Sequence, residues 1–345
     1  MSWWNDNASE DDLSDRFDES DVRIRPNRKG TRPRTKDRPA HEDAVTGTVL
    51  SVDRGRFAVL HDGTVLTCSR ARELGKSAIV TGDRVDLVGD TSGEPGSLAR
   101  IVRVQPRTTI LRRSADDTDA IERVIVANAD QMLIVVAAAN PEPRVRLVDR
   151  YLVAAYDAGI SPLLVITKCD VKNPDEFLAN FAELNIPVFR SGTDDIPFDQ
   201  LQRELAGHVT VAVGHSGVGK STLVNALVPG ADRSTGHVNV NTGKGRHTST
   251  SAMALPLPSG GWIIDTPGIR SFGLAHVDFE RLIHAFPELA DGVVDCPRAC
   301  SHDEAECALD AWADVHGVTE RLESLRRLLR SAKETDKWPD QRASS

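Results

Sequence analysis

The stretch GHSGVGKST, residues 214–222, decides the fold of this chain. It fits the pattern G-x-x-x-x-G-K-[ST], with Gly214, Gly219, Lys220 and Ser221 in the fixed positions of a phosphate-binding loop. The run HVTVAVG before it is typical of a buried strand, and a helix is predicted after it, which is the setting such a loop requires. The position of the loop in the chain is unusual, because it comes nearly two-thirds of the way along 345 residues.

The loop predicts contacts to a nucleoside triphosphate. Backbone N–H groups of a glycine-rich turn point at the β-phosphate, and the helix N-terminus adds a favourable dipole. We expect Lys220 to contact the β- and γ-phosphates and the Ser221 hydroxyl to ligate Mg²⁺, with Thr222 following at the start of the helix.

A second phosphate-side motif is DTPG, residues 265–268, which follows the apolar strand GWII. Asp265 is expected to hold Mg²⁺ through water, and the Gly268 amide to reach the γ-phosphate and sense its loss. After a strand and downstream of a phosphate loop, these four residues are a strong signal.

A base-side motif is TKCD, residues 167–170, which closes the apolar strand PLLVI. A carboxylate at Asp170 can accept hydrogen bonds from N1–H and the 2-amino group of guanine, whereas a buried Asp170 would be left unpaired against adenine. Lys168 is expected along the base and the phosphate loop. Thr167 stands where the N-K-x-D motif has asparagine. Threonine offers a hydroxyl for hydrogen bonding but lacks the amide group of asparagine. SGT, residues 191–193, is placed for a backbone contact to guanine O6.

The order of these motifs is rotated relative to ordinary GTPases, in which the phosphate loop comes first. Strands and helices alternate from about 120 to 275, which predicts a doubly wound α/β domain that binds its ligand at the carboxyl ends of the strands. We infer a circular permutation, with the chain opened after the DTPG strand. The second switch would then adjoin the C-terminal region and pass the nucleotide state to it.

Between the loop and DTPG lies STGHVNVNTGKGRHTSTSA, a switch-like segment rich in Gly, Ser, Thr and Asn. Either Thr248 or Thr250 is expected to complete the Mg²⁺ shell. Ile269 occupies the place of the water-orienting glutamine of many GTPases, which predicts slow intrinsic hydrolysis. His247 is the nearest titratable candidate for positioning the water, although it could also be a surface histidine of the switch.

The segment CPRACSHDEAEC, residues 296–307, has the pattern C-x₃-C-x-H-x₄-C. Three thiolates and one imidazole suit tetrahedral Zn²⁺, and a closed set of four ligands would be structural. The predicted ligands are Cys296, Cys300, His302 and Cys307. The alternative is a loop that carries free thiols.

Three further regions flank the nucleotide motifs. Residues 1–43 are predicted to be a disordered charged tail, either a solvated tail or an arm whose basic half settles on the phosphates of a nucleic acid. Residues 44–106 contain about five short strands, which favour an OB-fold β-barrel that contacts RNA. Residues 276–345 are predicted to be helical, with a leucine stripe that covers the chain's own core. The arginines expected on the barrel surface are Arg54, Arg56, Arg70, Arg72, Arg100, Arg103 and Arg107, and a merely solvated face is the alternative.

Bulk properties narrow the class of protein. The net charge is −9, which argues against a uniformly basic nucleic-acid binder and leaves local patches for any RNA contact. No stretch of about 18 apolar residues and no signal peptide are evident, so we expect a cytoplasmic protein without a membrane partner. The sequence shows no long heptad pattern of a coiled coil, so we expect a monomer.

Taken together, these features resemble the circularly permuted, small ribosomal subunit-dependent GTPases of the RsgA family. The features are the motifs GHSGVGKST, GRHTST and DTPG, the rotated motif order and the Cys-Cys-His-Cys segment. The likeness covers about residues 44–335, and GRHTST matches the family's switch pattern. TKCD departs from the family by lacking the first asparagine, and the cysteine spacing is slightly shorter than the common one.

The resemblance implies a fold and an activity. It implies a circularly permuted P-loop GTPase domain at 107–275, an N-terminal OB-fold β-barrel and a C-terminal helical zinc-binding domain. It also implies hydrolysis of GTP to GDP stimulated by the small ribosomal subunit, a role in the late maturation of that subunit, contacts to its rRNA, one structural Zn²⁺ and Mg²⁺ with GTP. The residues expected at the nucleotide are Thr167, Lys168, Cys169, Asp170, Ser191, Gly192, Gly214, His215, Ser216, Gly217, Val218, Gly219, Lys220, Ser221, Thr222, Thr248, Thr250 and Asp265, with His247, Lys220 and Gly268 as the catalytic set and Ser221 and Thr248 as magnesium ligands.

Two other functions remain open at this point. One is a GTP/GDP-dependent switch that binds a non-ribosomal partner. The other is a nucleotide sensor that does not hydrolyse its ligand, which the missing glutamine allows.

Overall fold

The computed structural model describes residues 41–75, 78–114, 122–229, 252–266, 272, 274, 277–298 and 300–333. All of these residues belong to one compact unit of the chain. Among them, every helix is too short or too polar to cross a lipid bilayer. The predicted tail at 1–43 lies outside the described residues, except for its last three positions.

The first five strands close into a small barrel. Their order is β1-β2-β3-β5-β4, and β4 pairs with β1 to complete the ring, which confirms the barrel predicted from the turn pattern. Alternate side chains such as Val49, Val59, Leu66 and Ile101 fill its interior, as the period of two in a strand requires. The strands are β1 Val45–Asp53, β2 Arg56–His61, β3 Thr64–Arg70, β4 Arg84–Gly89 and β5 Ala99–Val104.

A two-stranded ribbon, β6 Ile110–Ser114 and β7 Glu122–Ala127, follows the barrel. The sequence analysis did not predict it. Its strands are short and β6 carries Arg112 and Arg113, so the alternation of apolar and polar residues is weak.

The nucleotide domain is built on a six-stranded sheet in the order β10-β9-β8-β11-β13-β12. All neighbours run parallel except β12, which forms a hairpin with β13. The strands are β8 Gln131–Ala137, β9 Ser161–Thr167, β10 Val188–Arg190, β11 Val209–Gly214, β12 Met253–Pro256 and β13 Trp262–Asp265. Every residue of β8 is buried, as predicted for a parallel strand covered on both faces.

Helices cover both faces of this sheet. The helix α1 Val145–Asp157 packs on one face, and α3 Phe198–Leu205 and α4 Lys220–Leu227 pack on the other. After β9 the chain forms a short helix, α2 Asp175–Leu178, which continues as a 3₁₀ turn, Ala179–Leu184. Asn173 accepts a bond from the Asp175 N–H at 3.0 Å, one residue before Pro174, which is the N-cap of α2.

The barrel and the nucleotide domain share backbone. Ser51 of β1 pairs with Met253 of β12, so the strands of the two domains form one continuous sheet. At the same junction, Gly82 lies so near β7 that a Cβ atom there would sit 2.0 Å from the Ala127 carbonyl oxygen. Arg107, expected on the barrel surface, instead forms an ion pair with buried Asp83 at 2.7 Å.

The C-terminal region is helical, with α5 Phe279–Ile283, α6 Pro287–Ala290, α7 Leu309–His316 and α8 Thr319–Lys333. Leu322, Leu325, Leu328 and Leu329 of α8 are buried in the same core as α1. The leucine stripe therefore covers the chain's own core, as predicted.

Candidate functional site

The phosphate loop joins the end of β11 to the start of α4, and its backbone depends on glycine. Gly217 and Gly219 have φ angles of 82° and 91°, which L side chains rarely adopt. A Cβ atom at Gly214 would lie 2.6 Å from the Val135 carbonyl oxygen of β8. The three glycines of the loop are thus required by the local backbone and by close packing.

The Lys220 ammonium forms an ion pair with the Asp265 carboxylate beneath this loop. Their side chains are only 11% and 3% exposed. Asp265 is the last residue of β13, whose register places it beside Ala212 of β11. Two residues separated by 45 positions therefore meet because parallel strands end at the same edge of the sheet.

The guanine motif comes from the neighbouring strand β9. The Thr167 hydroxyl is buried and donates to the Val218 carbonyl oxygen of the phosphate loop at 2.5 Å. The Lys168 ammonium donates to the Gly217 carbonyl oxygen at 2.9 Å and also to the Asn140 carbonyl oxygen. The first two residues of TKCD therefore bind the backbone of the loop.

Asp170 lies on the surface at the far end of the same edge, and it is exposed where the guanine argument considered a buried carboxylate. Its two oxygens accept bonds from the hydroxyl and the N–H of Thr193, at 2.9 Å and 3.0 Å. The Thr193 hydroxyl, foremost, lowers the pKa of Asp170, so the carboxylate is held ionised. Gly192 lies alongside, where a Cβ atom would be 3.5 Å from an Asp170 oxygen.

On sequence grounds SGT was expected near guanine O6, but Thr193 was given no role of its own and Asn140 was not considered. Thr193 could have been found from its place after β10, since β10 and β9 are parallel neighbours whose ends must meet. The Ser191 N–H bonds to the Ile166 carbonyl oxygen, and the Cys169 N–H bonds to the Ser191 carbonyl oxygen, so the two loops are joined. Nothing in the sequence indicates the contact to Asn140.

Ser221 and Thr222 begin α4 with exposed side chains at this edge, beside exposed Ser216 and half-buried His215 of the loop. Four predicted residues lie outside the described part of the chain. These are His247, Thr248, Thr250 and Gly268.

The cysteine cluster lies between a 3₁₀ turn, Asp291–Asp295, and the start of α7. The ligand atoms of Cys296, Cys300, His302 and Cys307 all lie within 4.8 Å of one another. Cys296 Sγ is 3.7 Å from His302 Nδ1 and 3.8 Å from Cys307 Sγ. A tetrahedron of sulfur ligands about 2.3 Å from zinc has edges of about 3.8 Å, so these separations fit a metal ion of that kind.

The surroundings of the cluster also suit a cation. Burial raises the pKa values of the Cys300 and Cys307 thiols, so both need a positive charge nearby to become thiolates. The group could therefore bind a metal ion. Within the part of the chain that is described, no other set of three or more metal-ligating side chains converges in this way.

Two arginines of α8 bond the loop that carries the cysteine cluster. Arg326 donates to the His302 carbonyl oxygen at 3.0 Å and to both carboxylate oxygens of Asp310. Arg330 pairs with Asp303 at 2.6 Å. One residue along from Arg326, Arg327 faces the nucleotide domain and pairs with buried Asp149 of α1. Helix α8 therefore bonds the loop of the cysteine cluster on one side and the nucleotide domain on the other.

The fold and the site define a P-loop GTPase whose motifs follow a circularly permuted order, with a barrel before it and a metal-type cluster after it. The family model of the RsgA GTPase matches residues 104–275. Over 285 residues the chain is 40% identical to the small ribosomal subunit biogenesis GTPase RsgA of Pseudomonas aeruginosa (strain LESB58), covering 80% of this chain and 81% of the relative. The same name belongs to a relative from Azotobacter vinelandii, 40% identical over 284 residues and 79% of this chain. This chain belongs to the RsgA GTPase family.

Solved structures agree with this assignment. The crystal structure of YjeQ from Thermotoga maritima superposes with a TM-score of 0.59 and 27% identity, covering 84% of this chain and 98% of that chain. YloQ, described as a circularly permuted GTPase, gives a TM-score of 0.61 over 88% of this chain and 100% of its own, and its 21% identity supports the fold alone.

Proposed function

We propose that this GTPase binds the small ribosomal subunit, assists its late maturation and hydrolyses GTP with stimulation by that subunit. The observation that carries the proposal is the convergence of Asp170, Lys220 and Asp265 at one edge of a sheet, in a chain that is 40% identical to a small ribosomal subunit biogenesis GTPase. Such a partner would place the protein in the cytoplasm. We expect it to act as a monomer.

The nucleotide would lie along the carboxyl edge of the sheet. Asp170 would accept from the guanine base, and the backbone of Ser191 and Gly192 would approach O6. The amides of residues 214–222 would surround the β-phosphate, with Lys220 released from Asp265 to contact the phosphates.

Magnesium would arrive with GTP. The Ser221 hydroxyl and the Asp265 carboxylate, the latter through water, are oxygen donors of the kind that Mg²⁺ prefers. Thr248 or Thr250 would add a further oxygen, the Gly268 amide would contact the γ-phosphate, and His247 would position the attacking water. These three roles rest on the sequence pattern and the family.

The barrel, residues 44–106, would contact rRNA. Arg56 of β2 pairs in register with Ser69 of β3, and Ser69 with Arg100 of β5, so two exposed arginines lie on one row across the barrel. Arg54 and Arg72 are also exposed near the ends of β2 and β3. Positive side chains in such a row can contact successive phosphates, and their effect would fall with added salt.

The four-ligand cluster within 276–345 would hold one structural Zn²⁺. Three sulfurs and one imidazole nitrogen are the ligands that zinc takes in closed sites, where its role is to order the chain. The ion would fix the loop that α8 bonds through Arg326 and Arg330.

Turnover of GTP with and without purified small ribosomal subunits tests the proposal. We expect slow turnover alone and a large increase with small subunits, with no increase from large subunits. A Ser221→Ala variant should lose turnover under both conditions. Turnover that small subunits leave unchanged would contradict the ribosomal role, and a complete lack of turnover would favour a nucleotide-binding switch instead.

A further inference from the structure

Strand β12 lies between the barrel and the phosphate end of the nucleotide site. Its first residue, Met253, pairs with Ser51 of β1 on one side and with Asp265 of β13 on the other. Asp265 carries the carboxylate that forms the buried ion pair with Lys220. A single strand residue therefore separates the barrel from the carboxylate at the phosphate end.

A side chain of the barrel domain also holds the residue before β12. The Thr81 hydroxyl donates to the Ala252 carbonyl oxygen at 2.9 Å, across 171 positions of the chain, and Thr81 is only 2% exposed. The stretch GRHTST, residues 245–250, ends two residues before Ala252 and lies outside the described residues. The chain that carries Thr248 and Thr250 therefore enters the sheet through the residue that Thr81 bonds.

The loop that carries Thr81 is itself held by the ribbon and by the barrel. The Thr81 carbonyl oxygen accepts from the Ala127 N–H of β7 at 3.0 Å. The next N–H along the chain, that of Gly82, donates to the Val49 carbonyl oxygen of β1 at 2.8 Å. Because the backbone on both sides of the Thr81 side chain is bonded, the hydroxyl can hold Ala252 in one position relative to the barrel.

Strand β1 also connects this junction to the arginines that the proposed function assigns to RNA. Arg56 of β2 lies opposite Asp53 of β1, and Asp53 is two residues from Ser51, which pairs with β12. Backbone ladders and sheltered hydrogen bonds are rigid connections along which a change at one site can reach another. The arginine face of the barrel and the start of β12 are therefore connected through one sheet.

We propose that Thr81 is a positioning residue that couples the barrel to the phosphate end of the site. It holds the start of β12, and with it the strand end that carries Asp265, in the position that fast turnover requires while the barrel contacts RNA. The proposal rests on the stimulation by small subunits described under the proposed function. Thr81 is buried at the junction and away from both ligands, so its loss should reduce the stimulation and spare the binding of GDP.

The test measures GTP turnover without small ribosomal subunits and with saturating small subunits. For Thr81→Val we expect the ratio of the stimulated to the unstimulated rate to fall about tenfold, as for the loss of one sheltered hydrogen bond. Thr81→Ser, which keeps the donor, should restore the ratio. The dissociation constants for GDP and for the small subunit should stay within about twofold of those of the unaltered chain.

Thr109→Val is the matched control. The Thr109 hydroxyl donates to the Ala129 carbonyl oxygen at 2.5 Å, beside the start of β6, so this variant removes a comparable bond that does not reach β12. We expect it to leave the ratio of the two rates unchanged. Should Thr81→Val fold poorly, Thr81→Ala removes the same donor with a smaller side chain, and melting temperatures report the fold of each variant.

Several results would overturn the proposal. A ratio that Thr81→Val leaves unchanged, including an equal fall of both rates, would show that the bond plays no part in the stimulation. A fall in the ratio that Thr109→Val produces as well would show a general disturbance of the junction, and weaker binding of the small subunit by Thr81→Val would place its effect on the RNA contact. Small subunits that fail to stimulate the unaltered chain would overturn the ribosomal role and this proposal with it, and that failure is distinguishable because it appears before any substitution is made.

Discussion

The two ends of the nucleotide site are built differently. At the phosphate end, Lys220 and Asp265 form a buried ion pair beneath a loop whose shape is set by glycines and by donors from β9. At the base end, Asp170 is exposed and accepts hydrogen bonds from Thr193 of a neighbouring loop. The phosphate end therefore has its polar groups compensated within the fold, whereas the base end is a surface arrangement of few bonds.

This difference indicates which residues have a role in folding as well as in the proposed nucleotide binding. A buried charge must be paired to be tolerated, so the phosphate-end residues contribute to folding as well as to the proposed ligand binding. An exposed carboxylate is hydrated, so the base-end residues can change with little effect on the fold. Substitutions at the two ends should consequently separate stability from specificity.

The largest effect is expected from Lys220→Met. It removes the proposed contact to the phosphates and also takes away the ammonium that pairs with the buried Asp265 carboxylate. Turnover should fall to background, and the free energy of unfolding by urea should fall by about 3 kcal/mol. A Lys220→Met, Asp265→Asn double variant removes both charges.

The double variant should recover much of the stability and none of the turnover. Unchanged stability in the single variant would contradict the dual role of the phosphate end.

A large effect on specificity alone is expected from Asp170→Asn. An amide cannot accept from both guanine N1–H and the 2-amino group, so GDP affinity should fall about a hundredfold. The new amide donor can bond the O2 of xanthine, so xanthosine diphosphate should become the better ligand. Isothermal titration with both nucleotides checks this, and the melting temperature should match that of the unaltered chain.

An intermediate effect, confined to neither end, is expected from removing the metal. The cluster is proposed to hold one Zn²⁺ that orders its own segment, so chelation should destabilise the loop at 296–307 and free its three thiols. Release of one zinc per chain, followed with a colorimetric zinc indicator, should accompany the appearance of three reactive thiols.

Cys68 should stay unreactive in that experiment, since burial within the barrel raises its pKa to about 11. Affinity for GDP should change little. A nucleotide site that is lost along with the metal would contradict the separation of the two regions.

The smallest effect is expected from Thr193→Val, which sharpens the account of the base end. The Thr193 hydroxyl is the main cause of the lowered pKa of Asp170, so the ionised form persists below the usual range near 3.9. Removing the hydroxyl should move the pKa up towards that value. The guanine preference, which needs the carboxylate, is then lost at a higher pH as the solution is acidified.

Carbon NMR of the Asp170 carboxyl group measures this shift directly. A pKa that does not rise in Thr193→Val would show that the hydroxyl bond is not the cause. A GDP affinity at neutral pH that falls only a few-fold is expected, because the carboxylate itself remains.

Much of this arrangement could be predicted from the sequence, because it follows from local patterns. Continuous apolar runs identified the parallel strands, and the motifs at their ends placed Asp170, Lys220 and Asp265 at one edge. The closed barrel and the four-ligand cluster followed from turn signals and from ligand spacing.

The remainder depends on contacts between segments that are distant in the chain. The bond from Thr167 to Val218 joins residues 51 positions apart, and a hydroxyl gives no sequence signal for its partner. The Arg107–Asp83 pair turned a predicted surface arginine into part of the barrel junction for the same reason. The ribbon of β6 and β7 was missed because its residues lack a clear alternation.

The central claim is that one guanine nucleotide lies along the edge formed by β9, β11 and β13. A crystal structure with Mg²⁺ and a non-hydrolysable GTP analogue tests it most directly. The account predicts the base against Asp170, the β-phosphate within the loop at 214–222 and the metal beside Ser221 and Asp265. A base that lies away from Asp170, or phosphates outside the loop, would contradict it.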